Sequence, residues 1–279
     1  MTPSGKYYAS VLTELEGDKP VTSTDGKVAG IDLGLKDFAV VNDGIRTSKY
    51  RNLKHLAKHE RHLKRKQQKL ARKEKGSKSR SKARKLVARV HEQISNVRKD
   101  YLHKLSRKLV DDNQVIVVEN LHVKGMVRNH TLAKAISDVG WGMFVNFLHY
   151  KLDREGKVLV EIDRWFPSSK LCSNCHYQVS EMPLDVRTWT CPNCDTHHDR
   201  DPNAATNIRA EGIKMLSVWA TRTADGGDVS PKLGRKSKLT QSPLKSEAHA
   251  VPLCQRWVVH TDFTPDRPTA SAFQSNICS

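Results

Sequence analysis

Apolar residues change their period several times along this chain, and each change marks an element. The run Val28-Ala-Gly-Ile-Asp-Leu33 followed by Phe38-Ala-Val-Val41 predicts two strands joined by a tight turn at Gly34, paired as a hairpin. Before them, Tyr7 to Leu15 predicts one strand entering a loop rich in Asp, Gly, Pro and Thr. Leu56, Leu63 and Leu70 recur every seven residues, and Leu86, Val90, Ile94, Val97, Tyr101, Leu105 and Leu109 every three or four. With Gly76-Ser77 interrupting the pattern, this predicts a long helical hairpin over residues 51–110. Val115-Ile-Val-Val118 is wholly apolar, as a central strand covered on both faces must be. Leu132, Ala135, Ile136, Val139, Met143, Phe144, Phe147 and Leu148 predict one amphipathic helix, and Val158 to Ile162 a further strand. From about Leu216 the pattern dissolves, so residues 213–279 are expected to form a C-terminal tail, largely disordered beyond Gly226. Strands alternating with helices in this order predict a mixed α/β layer fold with one main domain.

Charge sharpens this picture because it is concentrated. Between Arg51 and Lys108, 22 Lys and Arg stand against Glu60, Glu74, Glu92 and Asp100, so this one stretch carries the chain's whole formal surplus of +18. A cation excess confined to one element suits a surface that neutralises phosphates and releases their counterions. The candidate contacts are Lys64, Arg65, Lys66, Lys69, Arg72, Lys73, Arg80, Lys82, Arg84 and Lys85. A solvated helix face or a membrane-surface helix is the alternative meaning of the same charge. The chain has no apolar run of about 18 residues, and Met1 to Lys6 lacks a signal-peptide core, so a cytoplasmic location is expected.

Thiols in a reducing compartment serve as metal ligands or remain free. Cys172-Ser-Asn-Cys175 and Cys191-Pro-Asn-Cys194 form two CxxC pairs fifteen residues apart. Such spacing lets four thiolates close one tetrahedral zinc site, with no open position for chemistry. The expected zinc is therefore structural, and its binding energy helps fold a short segment. A redox CxxC is the weaker alternative, since two pairs in one loop suit a shared metal. His176, His197 and His198 are expected to face solvent, while Cys254 and Cys278 lie without partners at ligand spacing.

Two acids sit where a charge would be costly without a partner, and a third stands at a predicted helix start. Asp32 lies in an apolar strand just before Gly34, and Glu119 directly follows Val115 to Val118. Asp201 precedes Pro202 and reads either as a helix N-cap or as a ligand; Asp199, two residues earlier, is its rival.

Together these residues resemble the TnpB (OrfB) family of insertion-sequence proteins, formerly called transposases and related to type V CRISPR nucleases. The likeness runs through Gly30-Ile-Asp-Leu-Gly34, Val118-Glu-Asn-Leu121, Phe166-Pro-Ser-Ser-Lys-Leu-Cys-Ser-Asn-Cys175, Cys191-Pro-Asn-Cys194 and Asp199-Arg-Asp-Pro-Asn-Ala-Ala-Thr-Asn-Ile208. It implies an RNase H-like (RuvC) nuclease domain over residues 28–212, carrying the basic hairpin and an inserted four-cysteine zinc ribbon over 168–198. It implies Asp32, Glu119 and Asp201 as the catalytic triad that binds magnesium, Cys172, Cys175, Cys191 and Cys194 as zinc ligands, and RNA-guided cleavage of DNA. DNA and a guide RNA are the implied partners.

Two departures stand out. The family usually follows each knuckle with Gly, where His176 and Asp195 stand here. Its members carry a long N-terminal portion, whereas about 27 residues precede the first long strand here, so residues 1–27 are expected to be the remnant of an N-terminal domain. Two further functions compete with a nuclease: a nucleic-acid-binding remnant or regulator that does not cut, and a DNA-joining transposase using the same carboxylate chemistry.

Overall fold

The computed structural model describes residues 2–13, 20–183, 185–224 and 256–257. Its strands are β1 (Val11–Leu12), β2 (Val28–Leu33), β3 (Asp37–Asn42), β4 (Thr47–Arg51), β5 (Val115–Glu119), β6 (Val158–Ile162), β7 (Thr188–Thr190), β8 (His197–Asp199) and β9 (Arg256–Trp257). The helices are α1 (His55–Ala71), α2 (Lys78–Asp112), α3 (Val123–Met126), α4 (His130–Val139), α5 (Trp141–Arg154) and α6 (Arg200–Ala224). Five strands form the central sheet in the order β4-β3-β2-β5-β6. The β2-β3-β4 side is antiparallel and the β2-β5-β6 side parallel, which makes the sheet mixed.

Strand alternation sorts the side chains into two cores. Ala29, Ile31 and Leu33 of β2 and Ile116 and Val118 of β5 pack with Leu102, Leu105 and Leu109 of α2, Ile136 of α4, and Phe144 and Leu148 of α5. On the opposite face Val115 and Val117 join Val158, Val160 and Ile162 of β6 under Ile208 of α6. The sheet is thus covered on both sides, as the apolar run in β5 predicts. Helix α6 approaches closely because Gly30 has no side chain: a Cβ there would collide with the backbone of Ala205 and Arg209.

The basic stretch folds as the predicted hairpin, with Leu63, Val90 and Ile94 forming a small core of their own alongside Leu56 and Val87. Leu86 and Val97, assigned to that stripe by spacing, are instead exposed. The base of the hairpin is tied to the body through Asp138 of α4. Its carboxylate accepts from the Leu56 N–H at the start of α1 and from Arg98 Nη2 of α2 at 2.7 Å. At the tip, the Ser77 hydroxyl accepts from Arg80 N–H and caps α2.

Several elements differ from the sequence expectation. Among the described residues of the predicted strand over 7–15, only Val11 and Leu12 form a strand, and Tyr7 and Tyr8 are exposed. Arg51, read as the start of the hairpin, ends the edge strand β4, whose composition Thr-Ser-Lys-Tyr-Arg carries no apolar signal. The helix expected across 132–148 is two helices, because Gly140 adopts φ 77° between α4 and α5. Helix α6 continues past Leu216 to Ala224, and Met215 and Leu216 pack against the second core. The rest of the expected tail, Cys254 and Cys278 included, lies outside the described residues apart from Arg256 and Trp257. Among the described residues no helix is long and apolar enough to cross a membrane.

Candidate functional site

The parallel pairing of β2 with β5 aligns Ile31 with Val118, so the next residues, Asp32 and Glu119, lie at neighbouring strand ends. By alternation both point to the face covered by α6. These are carboxyl ends of parallel strands, the edge where open α/β sheets place ligands. Asp201 belongs to the first turn of α6 rather than to its cap, because the helix begins at Arg200. Burial pushes the Asp32 carboxyl up to about 8, and Glu119 and Asp201 add to the rise by like-charge repulsion. Arg200 and Arg187 oppose it from the same neighbourhood. The three acids therefore share one electrostatic environment. Asp199, the rival, is exposed and paired with Lys49 Nζ of β4 at 2.5 Å.

Two of these acids are held by side chains that sequence reasoning passed over. Glu119 Oε1 accepts a hydrogen bond from the Ser168 hydroxyl. Burial raises the Glu119 pKa, and this bond offsets part of the rise. Asp201 Oδ1 lies 3.5 Å from Arg187 Nη1. The signal for Ser168 was present in Phe166-Pro-Ser-Ser-Lys170, but nothing local indicates which carboxylate the hydroxyl meets.

Behind the acids stands the cysteine cluster. Cys172, Cys175, Cys191 and Cys194 bring their sulfurs within 4.8 Å of one another, with Cys172–Cys194 at 3.7 Å and Cys175–Cys191 at 3.5 Å. Four sulfurs about 2.3 Å from a tetrahedral zinc would be roughly 3.8 Å apart, so the donor set fits that ion. Among the described residues it is the one cluster of potential ligands this tight; Asp32, Glu119 and Asp201 are not drawn to that spacing. Hydrogen bonds with Thr196 hold the Cys194 thiol down to about 6, while burial pushes the Cys191 thiol up to about 11.

Each knuckle closes through a matching pair of backbone bonds. Cys172 N–H donates to Tyr177 and His176 N–H to Cys172; Cys191 N–H donates to Thr196 and Asp195 N–H to Cys191, all at 2.9 Å. His176 and Asp195 adopt φ 60° and 55°, the left-handed turn that glycine would make without strain. His176 and His197 face solvent as expected, but His198 does not. It is buried, with Nε2 3.0 Å from Cys172 Sγ and its ring 4.8 Å from that of Trp189. Its place on the inward side of the three-residue strand β8 explains the difference.

Two buried asparagines of α6 join the cluster to the acids. Asn203 Oδ1 accepts from Ser173 N–H at 3.0 Å, and its Nδ2 donates to Leu171 O at 2.7 Å. Asn207 Nδ2 donates to Ser168 O at 2.8 Å and to Leu171 O at 2.7 Å. A continuous set of bonds thus links the first knuckle, α6, Ser168 and Glu119.

On the hairpin, Lys64, Arg65, Lys69, Arg72, Lys73, Lys82, Arg84 and Lys85 are exposed and Lys66 is half-exposed. Arg80 differs from its neighbours: its Nη1 donates to Leu70 O and Lys73 O, closing the end of α1.

Comparison with known proteins agrees with this layout. Residues 10–130 match the family described as "Probable transposase", and residues 141–208 the family described as "Cas12f1-like, TNB domain". A Streptomyces pristinaespiralis protein named "Putative RNA-guided DNA endonuclease" is 41% identical over 244 residues, covering 88% of this chain and 57% of that protein. InsQ of Escherichia coli K12, which carries the same designation, is 31% identical over 233 residues, covering 76% of this chain and 56% of its own length. The chain thus spans just over half the length of these two curated relatives. A cryo-EM structure titled as a CRISPR-Cas12f ternary complex has a similar fold, with TM-score 0.50 and 19% identity over 70% of this chain and 40% of that one. Taken with the five motifs, these matches place the chain in the TnpB (OrfB) family of insertion-sequence proteins.

Proposed function

We propose that this chain carries the magnesium-dependent, RuvC-like cleavage site of an RNA-guided DNA endonuclease, with the mixed sheet as its RNase H-like frame. The observation that carries the reading is the meeting of Asp32 and Glu119 at adjacent parallel strand ends, under the helix whose first turn supplies Asp201. An all-oxygen donor set that is partly open to water suits Mg²⁺, whereas the four thiols suit a closed zinc site. Magnesium held by these acids would supply an activated water and a stabilised leaving oxygen for in-line attack on a phosphodiester.

The chain's own groups prepare that pocket. Ser168 fixes the Glu119 carboxylate, and Asn207 of α6 holds the Ser168 backbone carbonyl. Arg187 and Arg200 temper the negative charge around Asp32 and so let a phosphate approach. The exposed cations of α1 and α2 grip the backbone of nucleic acid without reading its sequence, while base pairing with a guide RNA selects the target. The designations of the relatives support the guided activity.

The direct test is cleavage of a single-stranded DNA with Mg²⁺, with and without a complementary guide RNA, beside an Asp32→Ala variant. Cutting by the wild type that disappears in the variant is the expected result. Equal cutting by both removes the reading, and salt-sensitive binding without cutting leaves only a polyanion binder.

A further inference from the structure

The loop from β6 to the first knuckle is tied at both ends to one residue, Glu119, by its backbone at one end and its carboxylate at the other. At one end Ile162 pairs with Glu119 across the sheet; at the other the Ser168 hydroxyl donates to Glu119. Between these anchors the backbone is held by its own bonds. Asp163 Oδ1 accepts from Trp165 N–H at 2.8 Å, Asp163 O from Phe166 N–H at 3.1 Å, and Phe166 O from Ser168 N–H at 2.8 Å. Phe166 packs into the core beneath α6, which pins the middle of the loop.

Trp165 stands at the outer side of this fixed turn and is 83% exposed, whereas Trp141 is 3% exposed. Its Cα is three residues from each anchor and so within about 10 Å of both. A single exposed apolar residue is ordinary on a protein surface. Here, however, the largest side chain of all is presented by a rigid turn at the rim of the acid site. Arg164 is exposed beside it, so cationic charge and an open indole face are offered together.

An indole face binds a flat, apolar, polarizable partner, and a base is such a surface on an otherwise charged strand. In duplex DNA both faces of every base are already stacked, which leaves unpaired bases as the fitting partner. We propose that Trp165 is a stacking platform for one nucleobase of single-stranded DNA, next to the phosphate that occupies the acid site. The inference rests on the reading that this site acts on DNA.

The test is binding of a short fluorescent oligo(dT), and of an abasic oligomer of equal length, in magnesium-free buffer, so that no cutting is involved. Trp165→Ala should weaken oligo(dT) binding roughly 5- to 100-fold and leave abasic binding unchanged. Trp165→Phe should retain most of the affinity, and all variants should melt like the wild type, because this side chain packs on little. Unchanged oligo(dT) binding in Trp165→Ala overturns the proposal, as does equal loss of both ligands. So does a loss seen for oligo(U) but not for oligo(dT). A failed stacking test with cleavage still abolished by Asp32→Ala removes only this inference; cleavage that survives Asp32→Ala removes the nuclease reading.

Discussion

Asp32 and Glu119 stand side by side, one step beyond the paired residues Ile31 and Val118, although β3, β4 and the entire basic hairpin separate them in the chain. Burial of Asp32, reinforced by the neighbouring Glu119, has a measurable cost. With its pKa raised from 3.8 to about 8, native Asp32 keeps a proton that the unfolded chain releases. Stability contributed at this site is present below the unfolded pKa and is lost as pH rises from about 4 through about 8. In magnesium-free buffer without chelator, Asp32→Asn should remove that slope and be the more stable of the two proteins at about pH 8. Thermal melts across this range check it, and parallel slopes for the two proteins would contradict it.

Ser168 is the second test point. Its hydroxyl is the group that offsets the effect of burial on Glu119. Ser168→Ala should lower Mg²⁺-dependent cleavage near neutral pH by about 10- to 100-fold, the usual cost of removing a partner that orients a ligand. The pH profile should move upward, because Glu119 becomes harder to ionise. A uniform loss at every pH would assign Ser168 a packing role only.

Removing zinc should loosen a defined region. Cys172→Ser, or chelation of the wild type, is expected to release one zinc per chain and speed amide exchange across residues 168–198. Exchange should also rise at the start of α6, since Asn203 and Asn207 hold that helix to the first knuckle. The central sheet should keep its protection. Unchanged exchange in the ribbon after complete zinc loss would rule out a structural ion.

Glycine substitutions separate close packing from open space. In Gly30→Ala the new methyl meets the backbone of α6, which cannot step aside, so a loss of about 3 kcal/mol or more is expected in denaturant titration. Gly142→Ala, near the start of α5 with nothing within 4 Å, should be neutral or gain up to about 1 kcal/mol.

The hairpin cations should act additively and without sequence preference. Replacing Lys64, Arg65 and Lys69 together with Ala should weaken binding to unrelated DNA sequences alike, and lower the slope of log K against log salt by about 2 to 3. Arg80→Ala should behave differently, lowering hairpin stability through the freed carbonyls of Leu70 and Lys73.

Elements whose residues carry their own signal were legible in the chain. Apolar β2, β3 and β5, the broken periodicity at Gly76 and the paired CxxC spacing all state local requirements. Strand β4 was not legible, because an edge strand made of Thr, Ser, Lys, Tyr and Arg meets solvent and needs no apolar pattern. Gly140 was hidden by an apolar period that runs unbroken through the turn, and the last turns of α6 by weak amphipathicity. Within the candidate site, strand-end positions singled out Asp32 and Glu119. The partners Ser168, Arg187, Asn203 and Asn207, and the burial of His198, depend on contacts between segments that no local pattern encodes.

The hairpin also acts as a boom fixed at one end. Helix α2 alone extends roughly 50 Å, its inner half is bolted to the sheet, and a Cβ at Gly76 on the tip would meet nothing within 4 Å. Chain can therefore be added or removed at the tip, changing the length of the hairpin, while the geometry beside the sheet stays as it is.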